Sequence, residues 1–91
     1  MKILFEDSEG TAARAAIIEI PQPDNDGRAD ILTDHFTTIA DDAGIPFQKN
    51  WMKKGESVVI SFLTTSQELF TKWRKEFPDG ETERFFARQK V

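Results

Sequence analysis

Residues Ser57 to Leu63 constrain the fold more than any other stretch of the chain. They alternate as a strand does, yet both faces are apolar: Val58, Ile60 and Phe62 on one, Val59 and Leu63 on the other. A strand apolar on both faces belongs inside a sheet rather than at its edge. The chain must therefore supply other strands to flank it.

Candidates stand on either side. Lys2 to Glu6 puts Ile3 and Phe5 on one face, and Asp7-Ser8-Glu9-Gly10 after it is turn chemistry. Thr11 to Ile20 fits two patterns. As a strand it places Ala16, Ile18 and Ile20 together; as a helix capped by Thr11 it aligns Ala13, Ala16, Ile17 and Ile20. The β-branched run Ile17-Ile18-Glu19-Ile20 and the glycine turn before it favour a hairpin. Phe47 to Met52 also alternates, and Lys53-Lys54-Gly55-Glu56 would turn it back into the Ser57 strand. In the tail, Thr82 to Val91, Phe85, Ala87, Gln89 and Val91 alternate with Arg84, Phe86, Arg88 and Lys90, which reads as a last strand.

Two segments follow the helical period instead. Ala29, Leu32, Phe36, Ile39 and Ala43 form one apolar stripe, with Asp26 or Asp30 to cap its start and Gly44 and Pro46 to end it. Phe70, Trp73 and Phe77, with Leu69 beside them, form another. It opens at Thr65-Ser66-Gln67-Glu68, which has the form of a capping box, and closes at Pro78-Asp79-Gly80. The expected architecture is α+β: an antiparallel sheet in ββαββα(β) order with two helices packed on one face. Residues 1–91 make a single compact domain, because halves of this length could not each bury a core.

The absence of cysteine excludes disulfides, thiolate nucleophiles and cysteine-based metal sites. The first residues, Met1 to Asp7, offer an apolar run too short for a signal peptide or a membrane span, so the expected compartment is the cytoplasm. Charge divides unevenly. Residues 1–44 hold ten acids against three bases, net −7, and residues 45–91 hold six acids against nine bases, net +3. Such a split is a hint of interaction surfaces, although a fold can interleave the two halves.

Catalytic signatures are missing. His35 is the one histidine, and its neighbour Asp34 points elsewhere on a helix, so it reads as a boundary residue between core and solvent. Ser8, Ser57, Ser61 and Ser66 sit in no nucleophile motif. Asp24, Asp26, Gly27 and Asp30 resemble part of a calcium loop. Aligning Gly27 with the loop glycine, however, puts Gln22 and Thr33 where the end ligands belong. No cofactor and no metal is expected, and the chain reads as a non-enzyme.

What remains is a basic and aromatic set: Lys49, Trp51, Lys53 and Lys54, then Lys72 to Lys75 around Trp73, then Arg84, Phe85, Phe86 and Arg88. Trp73 lies on the helical stripe and belongs to the core. Two adjacent phenylalanines on a strand would point to opposite faces, leaving one for a partner. Asp41 and Asp42 oppose the dipole at a helix end, which suggests a role besides stability. The expected partner-binding residues are thus Trp51, Lys53, Lys54, Phe85, Phe86, Arg88, Asp41 and Asp42. They suit a protein-interaction module, in size and composition a small bacterial or phage accessory or inhibitor protein that docks on a larger partner. The alternative is single-stranded nucleic-acid or RNA binding by the basic half, against which the overall charge of −4 counts. An unpaired final strand beside Phe85 and Phe86 would further invite homodimerisation.

Overall fold

The computed structural model describes residues 2–8 and 13–89. The expected turn at Glu9-Gly10, Thr11, and the tail residues Lys90 and Val91 lie outside the described residues. The elements are β1 (Ile3–Asp7), β2 (Arg14–Pro21), α1 (Arg28–Ala43), β3 (Gln48–Lys54), β4 (Ser57–Thr64), α2 (Gln67–Glu76), a 3₁₀ turn (Pro78–Gly80) and α3 (Glu83–Gln89). The four strands form one antiparallel sheet in the order β1-β2-β4-β3. The α+β expectation holds, β4 is interior, and the ambiguous segment is a strand from Arg14 onward.

Pairing register sorts the side chains into two faces. Ile3, Ile18 and Ile60 lie in one cross-strand row, with Phe5, Ala16 and Phe62 in the next. Together with Ile20 they form the inner face, packed against the helices. Leu69, Phe70, Trp73 and Phe77 come down on it from α2 and the residue after it, and Leu32, Phe36 and Ala40 from α1. Phe36 is the hub. Its ring stacks on Phe62 at 4.3 Å and lies parallel to Phe77 at 5.5 Å, while Trp73 tilts against it at 5.1 Å. The buried indole N–H of Trp73 donates to the Phe36 carbonyl at 3.3 Å, so the largest core side chain carries no unsatisfied donor.

The helix ends differ in detail from the expected caps. At α1 neither Asp26 nor Asp30 provides the cap. Asp24 reaches across the turn, and its two carboxylate oxygens accept the amides of Arg28 and Ala29, each at 2.9 Å. At α2 the cap is Ser66 rather than Thr65: its hydroxyl accepts the Leu69 amide at 3.1 Å, which leaves Glu68 outside any reciprocal box. Gly44 ends α1 in the left-handed conformation, as expected. The β3–β4 hairpin turns on Gly55-Glu56 alone, with Gly55 at φ 60 in the first position, the backbone such tight hairpins require.

The tail overturns an expectation. Glu83–Gln89 is a helix, not a strand. Thr82, Phe85 and Phe86 are buried while Glu83, Arg84, Ala87 and Arg88 are exposed, which is the i, i+3, i+4 spacing of one helical face. Strand alternation was a coincidence of the same residues. Phe85 packs on Phe77 at 5.2 Å and on the His35 ring at 4.6 Å, and Arg28 lies 4.7 Å above the Phe86 ring. A third helix thus closes the end of the core, and no C-terminal strand exists among the described residues through which copies of the chain could pair.

Trp73→Ala removes the indole that α1, α2 and β4 share, and should cost about 3–5 kcal/mol in urea unfolding, whereas Trp51→Ala should stay within about 1 kcal/mol. Gly80→Ala should also destabilise, because Gly80 holds φ 73 and an added Cβ would collide with the Ile3 carbonyl oxygen. Asp79→Gly, which relieves a residue at φ 58 in the same turn, should be neutral or stabilising by the same measurement.

Candidate partner-binding surface

The helices cover one face of the sheet and leave the other open. On that outer face Leu4 lies opposite Ile17, Val59 opposite Met52, and Leu63 opposite Ala15. Leu4 is 56% exposed and Met52 67%, and Ile17, Val59 and Leu63 are partly exposed. None of these side chains belongs to the core cluster. Polar groups, Glu6, Glu19, Asn50 and Lys54 among them, border this diagonal apolar band. Its origin lies in the sequence of β4, which carries apolar groups on both faces, whereas the helices among the described residues cover only one.

The two sheet edges are unlike each other. At β1 the bridge between Lys2 and Glu81 and the close approach of Gly80 to Ile3 bring the 3₁₀ turn against the strand. At β3 all seven residues are exposed and the strand pairs with β4 alone. Trp51 is 49% exposed there, and the Lys49 ammonium lies 5.5 Å from its ring centroid. Lys53 is exposed, and Lys54, on the opposite side of the strand, pairs with Glu19 at 3.3 Å. A cleft of about 460 Å³ beside the start of β3 is lined by Pro46, Phe47, Gln48 and Leu63.

Of the residues expected to bind a partner, the fold therefore brings Trp51, Lys53 and Lys54 together on one edge. It removes Phe85 and Phe86, each 4% exposed, because a helix can turn adjacent side chains into the same core where a strand would separate them. Arg88 is exposed on α3 rather than on a strand beside the two phenylalanines. Asp41 and Asp42 are exposed on the last turn of α1, and among the described residues no ion pair or hydrogen bond joins them to the lysines of β3. The band of Leu4, Met52 and their neighbours was missed. The apolar outer face of β4 was visible in the sequence, but its exposure was not.

Several other charges have structural duties. Asp26 faces Arg28 at 3.7 Å, and Arg28 also reaches Glu83 at 3.7 Å. Arg14 pairs with Asp7 at 3.2 Å and donates to Gln67 and to the Thr65 carbonyl, each at 3.0 Å. His35 sits at the core boundary, as expected, with Nε2 3.0 Å from Glu76 and its ring against Phe77 and Phe85. A cleft of about 670 Å³ near the C-terminal helix sets Lys2, Lys75, Arg84 and Arg88 among Glu76, Asp79 and Glu81, so charges of both signs line it. No group of three or more potential metal ligands occurs among the described residues. No helix among them is long and apolar enough to cross a membrane.

Comparison of the chain with protein families, curated proteins and solved structures finds no match.

Glu81 shows how an acid supports the fold. Its carboxylate accepts the Glu83 amide at 3.1 Å at the start of α3. That hydrogen bond holds its pKa below the ordinary glutamate range, against an opposing effect of desolvation and with some help from the nearby charge of Lys2. A depressed folded-state pKa gives stability that is complete above the unfolded value and is lost as pH falls through the folded one. NMR titration should therefore place the Glu81 carboxylate below an ordinary glutamate, and Glu81→Ala should flatten this part of the acid limb of stability.

Proposed function

We propose that the chain is a non-enzymatic protein-interaction module that docks on a larger partner through the open sheet face and the β3 edge. The observation that carries this reading is the apolar band of Leu4, Ile17, Val59, Met52 and Leu63, which the helices leave uncovered while they pack the opposite face of β1, β2 and β4. Contiguous apolar surface rimmed by polar groups is the usual mark of a protein contact. On the same edge strand Trp51, paired with Ile60 and so pointing to the opposite side of the sheet from Met52, adds a large, stiff and partly polar side chain of the kind that dominates such contacts.

Nucleic-acid binding has less in its favour. Base stacking requires exposed rings, and of Trp51, Trp73, Phe85 and Phe86 only Trp51 is accessible. The open face is apolar rather than basic, and Lys54 is already paired with Glu19. Among the described residues Lys49 and Lys53 beside Trp51 are the cations of this edge without a carboxylate partner, and the overall charge of −4 opposes a phosphate backbone.

Met52→Asp places a charge at the β3 end of the band while leaving the core untouched, so unfolding should change by no more than about 0.5 kcal/mol. Protein captured by the wild-type chain should be lost from this variant at both low and moderate salt. Capture of the same proteins by both forms would refute the reading, as would capture of single-stranded oligonucleotide in place of protein.

A further inference from the structure

Resting on that reading, we propose that β3 accepts an extended acidic segment of the partner as a fifth strand. Acids of the segment lie against Lys49 and Lys53, and an apolar residue between them lies over Trp51. An antiparallel edge strand presents outward-facing N–H and C=O groups at alternate residues, which a further strand can satisfy. Gln48–Lys54 is such an edge, with all seven residues exposed and pairing on one side only. The opposite edge differs, since Glu81 already bridges to Lys2 beside β1.

Charge selects the occupant. Lys49, Trp51 and Lys53 alternate along β3 and so share a face. Neither Lys49 nor Lys53 has a carboxylate partner among the described residues, whereas Lys54 on the other face is bound to Glu19. Two unpaired cations flanking an exposed ring are complementary to acid-x-apolar-x-acid, and their symmetric spacing matches that pattern in either strand direction. A second copy of the chain fits poorly. Antiparallel pairing of two β3 strands about Trp51 would set Lys49 directly opposite the copy's Lys53, and like charges in that position are destabilising. The lysines thus repel self-pairing and basic strands while leaving the edge open to an acidic one.

The probe is a synthetic peptide built around Asp-Thr-Val-Thr-Asp, compared with its Lys-Thr-Val-Thr-Lys counterpart on the intact chain. The acidic peptide should slow hydrogen exchange at amides of residues 48–54 and leave those of β1 unchanged. Its affinity should fall at least about tenfold in Lys49→Glu/Lys53→Glu, a loss of about 1.4 kcal/mol or more, and the lysine peptide should become the better ligand. Both lysines are exposed and outside the core, and circular dichroism checks that the variant is folded. Equal protection by both peptides, or none by either, would overturn strand addition. So would oligonucleotide binding that the double variant abolishes without any β3 protection. If partner capture is lost in Met52→Asp but unaffected by Lys49→Glu/Lys53→Glu, the strand proposal fails and the interaction reading stands. If neither variant affects capture, both fail.

Discussion

The packing of Phe36 between Phe62 and Phe77, with Trp73 against it, is the contact on which the rest of the fold depends. It joins α1, β4 and the end of α2 through four large rings, and the indole N–H is satisfied by the carbonyl of the residue it packs on. Aromatic side chains bury the most apolar area per residue, so a small domain gains most by gathering them in one place. Gathering them on one face of the sheet also has a consequence. Once the helices are held there, nothing among the described residues remains to cover the other face, and the apolar groups that β4 presents to that side stay accessible.

The same economy shapes the edges. The chain from Pro78 to Thr82 runs back past β1, with Gly80 against the Ile3 carbonyl and Glu81 bridged to Lys2, before α3 seals the bottom of the helical layer with Phe85 and Phe86. The backbone passes so near Ile3 that only a residue without a side chain fits. No comparable segment among the described residues pairs with the outer side of β3. Its protection is chemical: lysines on both sides of the strand disfavour like edges, which makes the edge selective instead of inert.

Charge asymmetry, prominent in the sequence, has a mixed meaning in space. Sheet order keeps the front-half strands β1 and β2 together and the back-half strands β4 and β3 together, so the split persists across the sheet. Several of the acids nevertheless act locally. Asp24 caps α1, Asp26 and Glu83 hold Arg28, Glu19 holds Lys54, and Glu81 starts α3. The faint likeness of Asp24, Asp26, Gly27 and Asp30 to a calcium loop is accounted for by a carboxylate cap and an ion pair.

By itself the sequence determined the first strand, α1, the second hairpin and α2, the interior place of β4, the end of α1 at Gly44, and the burial of Trp73, while it left Thr11 to Ile20 open between strand and helix. Each follows from periodicity or turn chemistry acting within a few residues. Tertiary structure decided the rest. Thr82 to Gln89 carries both a period of two and the i, i+3, i+4 spacing of Thr82, Phe85 and Phe86, and only the vacancy at the end of the helical layer selects the helix. Caps moved from Asp26 or Asp30 to Asp24, and from Thr65 to Ser66, because the exact entry angle of a helix is set by what it packs on. Half of the candidate surface, Trp51, Lys53 and Lys54, was legible as a basic and aromatic hairpin. The other half, the band from Leu4 to Met52, was not, because alternation names two faces of a strand and cannot say which one the helices will cover.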